Sequence, residues 1–316
     1  MSAPTLAVST RLRPPAELGP DRIVRLASEA GFEGIAAGKD MTLELLKLVA
    51  GEALRAGMRV SMAMCPLAAA PLVKGKRLPW LAAHDDPDER RAAVKAGIET
   101  LAFGQQLGIT NFVVDLGGVP LRTSKTRLEV GYARREMANE EPGGRWRRQA
   151  LDERNASALS ILDACRLGLE PLLADAERRG ASLAIPIAAN PWQVPTPREA
   201  HQLLRDLAGG PLSLVYSPAR RVVLDELGLA GPPERWGDLL AAATVVEFAD
   251  CVGLRTDLCL GTGELPPGLP AGLTRAQSGI VKGPVDSAFR EVLRAATRAR
   301  EELSAAAAAA TKSPPG

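Results

Sequence analysis

Histidine is scarce in this sequence, in which only His84 and His201 occur among 316 residues. The serines that follow short apolar runs have no histidine base near them in the chain, and no Gly-x-Ser-x-Gly turn is present. Both features argue against a serine hydrolase. His201 falls in the helix-like stretch PREAHQLL and His84 just before DDPDER. We therefore interpret the first as a surface or helix-packing residue and the second as a capping or exposed residue.

Cysteine pairs, long apolar runs and a strong charge imbalance are also missing. Four isolated cysteines without a Cys-x-x-Cys pair predict buried free thiols: Cys65, Cys165, Cys251 and Cys259. A net charge of +2 gives no reason to expect nucleic acid, and no apolar run is long enough for a membrane span. The first residues do not read as a signal peptide, so we expect a cytoplasmic protein.

Short apolar runs alternate with helix-period segments along the chain. This pattern is typical of a parallel sheet whose crossover helices cover both faces. Eight units in a chain of this length predict an α/β protein with a (β/α)8 TIM barrel, and an open doubly wound sheet is the alternative. The predicted strands are residues 6–10, 33–37, 59–67, 111–118, 182–190, 211–220, 244–250 and 278–283.

The barrel is expected to form one domain over residues 1–303. Residues 121–150 interrupt the pattern after the fourth strand with a long polar insertion, for which a lid, a subunit contact or a solvated excursion are open alternatives. Through this insertion we expect a homo-oligomer or a protein partner. Residues 304–316 form an Ala-rich tail, which we expect to be disordered, although the alanines could extend the preceding helix.

In a TIM barrel the carboxyl ends of the strands surround the functional site. The sequence places a small set of chemically useful residues at or just beyond those ends. They are Met64 and Cys65, Asp115, residues 186–190, residues 217–220, residues 247–250 and Lys282.

Several runs, in this order, resemble the xylose isomerase-like barrels of the sugar phosphate isomerase and epimerase group. The runs are STRL, LASEAGFEGI, RRAAVKAGIETLAFGQQLGITNFVVDLGG, LLADAERRGASLAI and VVEFADCVG followed by LGTGEL, and they cover roughly residues 6–303. The resemblance implies a metal site in which strands five, six and eight supply a glutamate, an Asp-x-x-His pair and a second glutamate.

The residues at those positions differ from the family pattern. Pro186 stands where the fifth strand would supply its glutamate, Ser217 and Arg220 replace the Asp-x-x-His pair, and Lys282 is the charged residue at the eighth strand. A divalent ion needs converging carboxylate oxygens and imidazoles, and two cations in their place repel it. We therefore predict no metal, and no other cofactor, because the single Gly-x-Gly of LGTGEL opens no helix.

Two functions remain open. The first is a degenerate, non-catalytic barrel that binds a small molecule or serves as a scaffold, with an anion such as a sugar phosphate or carboxylate as its guest. Its substrate-binding candidates are Asp115, Asn190, Trp192, Ser217, Arg220 and Asp250. The second is a metal-independent sugar isomerase or epimerase in which Glu247 and Lys282 act as acid and base.

Overall fold

The computed structural model describes residues 5–10, 19–38, 41–67, 72–73, 76–77, 86–270, 273, 276, 278–283 and 289–312. Within these residues the strands are β1 (Thr5–Ser9), β2 (Gly34–Ala37), β3 (Arg59–Cys65), β4 (Leu72–Val73), β5 (Lys76–Arg77), β6 (Asn111–Val114), β7 (Ser182–Pro186), β8 (Leu212–Tyr216), β9 (Ala243–Phe248), β10 (Asp250–Val252), β11 (Arg255–Leu258) and β12 (Ser278–Val281). The helices are α1 (Pro20–Glu29), α2 (Leu43–Arg55), α3 (Pro87–Gln106), α4 (Lys125–Ala133), α5 (Pro142–Ala156), α6 (Ala158–Arg178), α7 (Pro197–Asp206), α8 (Pro218–Glu226), α9 (Pro233–Ala241) and α10 (Phe289–Lys312).

Eight parallel strands close into a barrel in the order β1-β12-β9-β8-β7-β6-β3-β2. The last strand pairs with the first, and Thr5 lies opposite Ser278. Each of the eight predicted strand segments overlaps one strand of the barrel, so the predicted TIM barrel is confirmed and the open sheet is wrong. Most of the observed strands are shorter than predicted because the predicted segments also included the first residues of the loop that follows.

The interior of the barrel is filled by one small or medium apolar side chain from each strand. Small residues on some strands offset longer ones on others, which lets the layer close without a central channel. The layer consists of Ala7, Ala36, Met62, Val113, Ala184, Val215, Val245 and Ile280. A second and larger apolar cluster lies outside the sheet, where the helices pack against it.

Local sequence signals set the ends of several helices. Asp86 caps α3 by accepting hydrogen bonds from the backbone N–H groups of Asp88 and Glu89. Gly31 and Gly180 follow α1 and α6 with φ angles of 73° and 64°, a left-handed conformation that turns the chain toward the next strand. At these two boundaries the glycine marks where the helix ends.

The polar insertion after β6 forms the helices α4 and α5, and as a structural unit it extends to Ala156, six residues beyond its predicted end. Glycines let the two helices and their connection approach closely, since a Cβ atom built on Gly144 would lie 1.9 Å from the Ala138 carbonyl oxygen. The insertion is joined to α7 by a salt bridge between Arg154 and Glu199. It is thus a helical hairpin fastened to the barrel, while a role in subunit contact stays a prediction.

Three further features are two small sheets outside the barrel, the length of the C-terminal helix and the character of the helices with respect to a membrane. The strand pairs β4–β5 and β10–β11 each form a small antiparallel sheet outside the barrel. Helix α10 continues through the alanine run as far as Lys312, so the tail that we expected to be disordered is helical to that point. Among the helices of the described residues, none is both long and apolar enough to cross a membrane.

Candidate functional site

The site lies at the mouth of the barrel, the end at which the carboxyl ends of the strands meet. Side chains alternate along a strand, so the residues two positions beyond the interior apolar layer point toward the mouth. These eight positions are Ser9, Gly38, Met64, Asp115, Pro186, Ser217, Glu247 and Lys282. Seven of them line a cavity of ≈ 140 Å³, and Ser217 is the exception.

Glu247 is the centre of the charged groups at the mouth. Its Oε1 accepts a hydrogen bond from Arg220 Nε at 3.3 Å, and its Oε2 accepts one from Lys282 Nζ. The carboxylate side chain is 3% exposed, whereas the side chains of Arg220 and Lys282 are 18% and 25% exposed. The buried negative charge therefore lies behind two positive groups that reach the cavity.

The ionisation of Glu247 follows from these contacts. Burial by itself raises the pKa of a carboxyl group, because it penalises the charged form. The charges of Arg220 and Lys282 and their hydrogen bonds outweigh that effect and lower the pKa of Glu247 to about 2. The group is consequently a permanent carboxylate at neutral pH, and a weak base.

Helix α8, which the sequence reading did not predict, positions Arg220. Ser217 is the N-cap of this helix, and its hydroxyl accepts a hydrogen bond from the Arg220 backbone N–H at 3.5 Å. Arg220 Nη1 also donates to the Ile187 carbonyl at 2.9 Å. The Ser217-Pro218 pair was the available signal, because serine at the N-cap and proline at the first helical position favour a helix start.

Two loops close one side of the mouth. Gly118 forms an antiparallel bridge with Gln193, and Val119 N donates to Trp192 O at 2.8 Å. A Cβ atom on Gly118 would lie 2.2 Å from that Trp192 oxygen, so the approach requires glycine. Gln193 and Val194 line the cavity from this side. Sequence reasoning missed both, because no local pattern shows that the two loops meet.

The predicted site residues fall into two groups. Asp115, Arg220, Glu247 and Lys282 line the cavity, as do Met64 and Pro186 from the broader set of strand ends. Asp115 Oδ1 also accepts a hydrogen bond from Gly117 N at 3.0 Å, which fixes the start of the loop after β6.

The second group lies beside the cavity without lining it: Asn190, Trp192, Ser217 and Asp250. Asn190 Oδ1 accepts a hydrogen bond from the Trp192 backbone N–H, and thereby holds a turn. Asp250 is fully buried and accepts bonds from the backbone N–H groups of Cys251, Gly261 and Leu265. Ser217 caps α8, and Trp192 packs against the larger apolar cluster. A direct role of any of the four residues in binding stays a prediction.

His201, the histidine within the described residues, does not line the cavity. His201 lies on α7, and its Nε2 is 3.0 Å from Asp238 Oδ2 on α9, which agrees with the predicted helix-packing role. His84 lies outside the described residues.

The donor set at the mouth does not fit the divalent ion that the family resemblance implies. In the described part of the chain no three His, Cys, Asp or Glu side chains converge as metal ligands. The deepest carboxylate, Glu247, is instead bound by Arg220 and Lys282. A cation there would have to displace both positive groups, which the like charges oppose. The absence of a resident metal stays a prediction.

Comparison with solved structures agrees with this fold. The chain is similar to 3-keto-D-glucoside 4-epimerase from E. coli (12% identity, TM-score 0.62, covering 94% of this chain and 98% of that one). It is also similar to D-psicose 3-epimerase from Clostridium cellulolyticum H10 (9% identity, TM-score 0.64, 95% and 99% covered) and to a xylose isomerase domain protein from Planctomyces limnophilus (12% identity, TM-score 0.56, 96% and 99% covered).

No protein-family model matches the sequence, and no curated protein matches it. The closed barrel and the similarity to these solved structures show that the chain has the xylose isomerase-like TIM-barrel fold of sugar epimerases and isomerases. At these identities the likeness establishes the fold alone, and function has to be argued from the mouth of the barrel.

Proposed function

We propose that this barrel is a metal-independent binding protein for a small organic anion, a sugar phosphate or another carboxylate or phosphate compound, which occupies the cavity at the mouth. The observation that carries the proposal is the arrangement of charge around Glu247. Its side chain is 3% exposed, whereas the side chains of the two cations that hold it are 18% and 25% exposed, and all three residues line the cavity. A guest can therefore approach Arg220 and Lys282 more readily than the carboxylate between them.

The geometry of Arg220 supports an anionic guest. Among the described residues its side chain donates to Glu247 through Nε and to Ile187 through Nη1. A guanidinium carries five N–H donors, so these two bonds leave an edge that can serve a carboxylate or phosphate. Both bonds also fix the plane of the guanidinium before any ligand arrives, which lowers the cost of ordering it on binding.

The alternative of acid–base catalysis by Glu247 and Lys282 is less well supported. A general base works best when its pKa lies near the operating pH, and the pKa of Glu247 is lowered to about 2. The pair is better suited to hold charge in place than to move protons, and this favours binding over isomerisation.

A thermal-shift titration tests the proposed function. Sugar phosphates and small carboxylates are expected to raise the melting temperature, and neutral sugars of the same size are not. The Arg220→Ala variant should lose this response. Arg221→Ala is the matched control, because Arg221 is the next residue of the same helix but stacks on Trp236, 4.1 Å from the ring centroid, and pairs with Asp225. Stabilisation by neutral sugars alone would refute the proposal.

Elemental analysis of the purified protein tests the metal-independent part separately. We expect substoichiometric manganese, zinc and magnesium, and unchanged ligand binding after treatment with a chelator. One tightly held divalent ion per chain would contradict this part of the proposal. It would also show that the ion pairs of Glu247 rearrange to admit a cation.

A further inference from the structure

Gln193 is a cavity residue whose side-chain orientation is fixed by its own loop. Its oxygen Oε1 accepts a hydrogen bond from the Ala189 backbone N–H at 2.8 Å. A backbone N–H can only donate, so the atom that faces it has to be the amide oxygen and not the amide nitrogen. The NH2 group of Gln193 is thereby turned away from Ala189, on a side chain that lines the cavity.

Gln193 and Arg220 are fastened to the same short segment after β7. Arg220 Nη1 donates to the carbonyl of Ile187, and Gln193 accepts from the N–H of Ala189. These two anchoring residues are two positions apart, which is at most about 7 Å along the chain. Ala188 lies between them, lines the cavity, and donates its own N–H to Pro195 O at 2.7 Å. The cavity thus has a charged donor and a neutral donor on one rigid wall.

The floor of the cavity is apolar. It is made by the apolar interior layer, of which Met62, Val113 and Ile280 line the cavity. An oxygen atom of a ligand placed against this floor would lose its hydrogen bonds to water. Polar groups of a guest are therefore best placed against the wall that carries Arg220 and Gln193.

We propose that Gln193 is a specificity-determining residue of the mouth, and that its NH2 group donates to an uncharged oxygen of a short hydroxy- or oxo-carboxylate. The carboxylate of that ligand lies at Arg220 and Lys282, and its neighbouring hydroxyl or carbonyl oxygen lies at Gln193. An amide is neutral, so it matches an uncharged acceptor and leaves the second negative charge of a dicarboxylate without a partner. This inference rests on the proposed function and narrows its ligand class.

The simpler interpretation is that Gln193 only holds its turn. Asn190 does this on the same turn, where its Oδ1 accepts from Trp192 N at 3.1 Å, and Asn190 does not line the cavity. Each of the two amides accepts a hydrogen bond from a backbone N–H through its oxygen, and Gln193 is the one of the two residues that lines the cavity.

The experiment replaces the Gln193 amide by the matching acid. Gln193→Glu keeps an oxygen for Ala189 N–H but removes the NH2 donors, and Gln105→Glu makes the same change at a control position outside the cavity, where the Gln105 oxygen accepts a hydrogen bond from Arg179 at 2.9 Å. The probes are 2-hydroxybutyrate and butyrate, which differ by one hydroxyl group, and binding is measured by NMR titration of the full-length protein. Wild type is expected to prefer 2-hydroxybutyrate by about tenfold, as one hydrogen bond to a well-oriented donor provides.

The ratio of the two affinities separates hydrogen bonding from charge repulsion. The new negative charge of Gln193→Glu weakens binding of both probes by repulsion. Only loss of the NH2 donor removes the preference for 2-hydroxybutyrate over butyrate. We expect a ratio near one in Gln193→Glu and the wild-type ratio in Gln105→Glu. Gln193→Met, which carries no new charge, should also give a ratio near one. Equal melting temperatures of wild type and Gln193→Glu without ligand would show that the turn is intact.

The outcomes distinguish this inference from the proposed function. If Gln193→Glu and Gln193→Met keep the wild-type ratio while Arg220→Ala loses binding of both probes, the role of Gln193 is refuted and the anion site stands. If wild type binds neither these probes nor inorganic phosphate nor a sugar phosphate, the proposed function fails, and the inference fails with it. Tighter binding of butyrate than of 2-hydroxybutyrate would also overturn the inference.

Discussion

Glu247 and Glu199 are both glutamates bound to an arginine, but they lie in different regions of the molecule. Glu247 ends a barrel strand and shares its charge between Arg220 and Lys282 beside a cavity. Glu199 lies in the first turn of α7, where Arg154 of the insertion reaches it at 2.6 Å. The arginine side chain of this second pair is 2% exposed, against 18% for Arg220.

The difference in access separates a candidate binding site from a structural contact. Glu199 also accepts from the Thr196 backbone N–H and completes a capping box, so its charge is used within the fold. Arg154 Nε and Nη1 are buried and have no hydrogen-bond partner among the described residues. A buried water molecule is the usual partner of such groups. At the mouth, by contrast, the donors of Arg220 face a cavity that a ligand can enter.

The largest expected effect is at the enclosed pair. Arg154→Met leaves the Glu199 carboxylate buried without its cation, which should lower the free energy of unfolding by about 3–5 kcal/mol. The double variant Arg154→Met/Glu199→Gln should recover much of that loss, because no unpaired charge remains. Urea denaturation of the three proteins measures both effects. Equal stabilities of wild type and Arg154→Met would mean that the pair is not enclosed in solution.

Glu247→Gln should have the next largest effect, and one that depends on pH. The folded-state pKa of about 2 lies below the ordinary value of 4.5, so the ionised carboxylate stabilises the fold. The linkage contribution is roughly 3 kcal/mol above pH 5. It is lost as the pH falls from about 5 toward 2, because the carboxyl group of the unfolded chain takes up its proton first.

Urea denaturation of wild type and Glu247→Gln between pH 3 and 8 measures this difference. The variant should be less stable at pH 7, and the two proteins should converge at low pH. In the same variant an anionic probe should bind more tightly than in wild type, because Arg220 and Lys282 lose their internal partner. A stability difference that is independent of pH would contradict the lowered pKa of Glu247.

A smaller effect is expected in the insertion that supplies Arg154. Gly144→Ala forces a methyl group onto the Ala138 carbonyl, and should destabilise the protein by roughly 1–3 kcal/mol. Gly51→Ala in α2 is the matched control, since a Cβ atom there meets nothing within 4 Å. Replacing a helical glycine by alanine in open space should stabilise by about 0.5–1 kcal/mol. Changes of the same sign in the two variants would show that the hairpin does not pack as described.

The smallest expected signal comes from the cysteines, which are buried as the sequence predicted. Burial raises the pKa of Cys65 and of Cys165 to about 12, and that of Cys251 to about 11. All of the thiols should therefore resist a thiol reagent at pH 8 until the protein is denatured. Because labelling of a buried thiol requires the structure to open, Cys165 should react faster in Arg154→Met and in Glu247→Gln than in wild type, in proportion to the stability that each variant has lost. Mass spectrometry of the labelled peptides distinguishes the sites.

Much of this fold is accessible from local patterns. Gly31 and Gly180 mark the ends of helices, and the apolar runs at 59–65 and 243–248 have the length and composition of buried strands. Because side chains alternate along a strand, the residues two positions beyond the apolar layer point toward the mouth, and Asp115, Glu247 and Lys282 are among them. Those predictions succeeded because each depends on residues close together in the chain.

Local patterns do not show how a polar side chain at a strand end is used. The hydroxyl of Ser217 caps α8, and the carboxylate of Asp250 accepts hydrogen bonds from three backbone N–H groups, while the binding roles of both residues stay predictions. Gln193 reaches the cavity only because its loop pairs with Gly118. No pattern within either loop shows that pairing.

By itself, the sequence determined the number and order of the barrel units and the charged residues at their ends, because alternation and helix punctuation are local properties of the chain. The tertiary structure decided which of those residues face a common cavity and which are used within loops and caps. It also placed Glu247 behind Arg220 and Lys282, since burial and hydrogen-bond partners depend on side chains that meet only when the barrel closes.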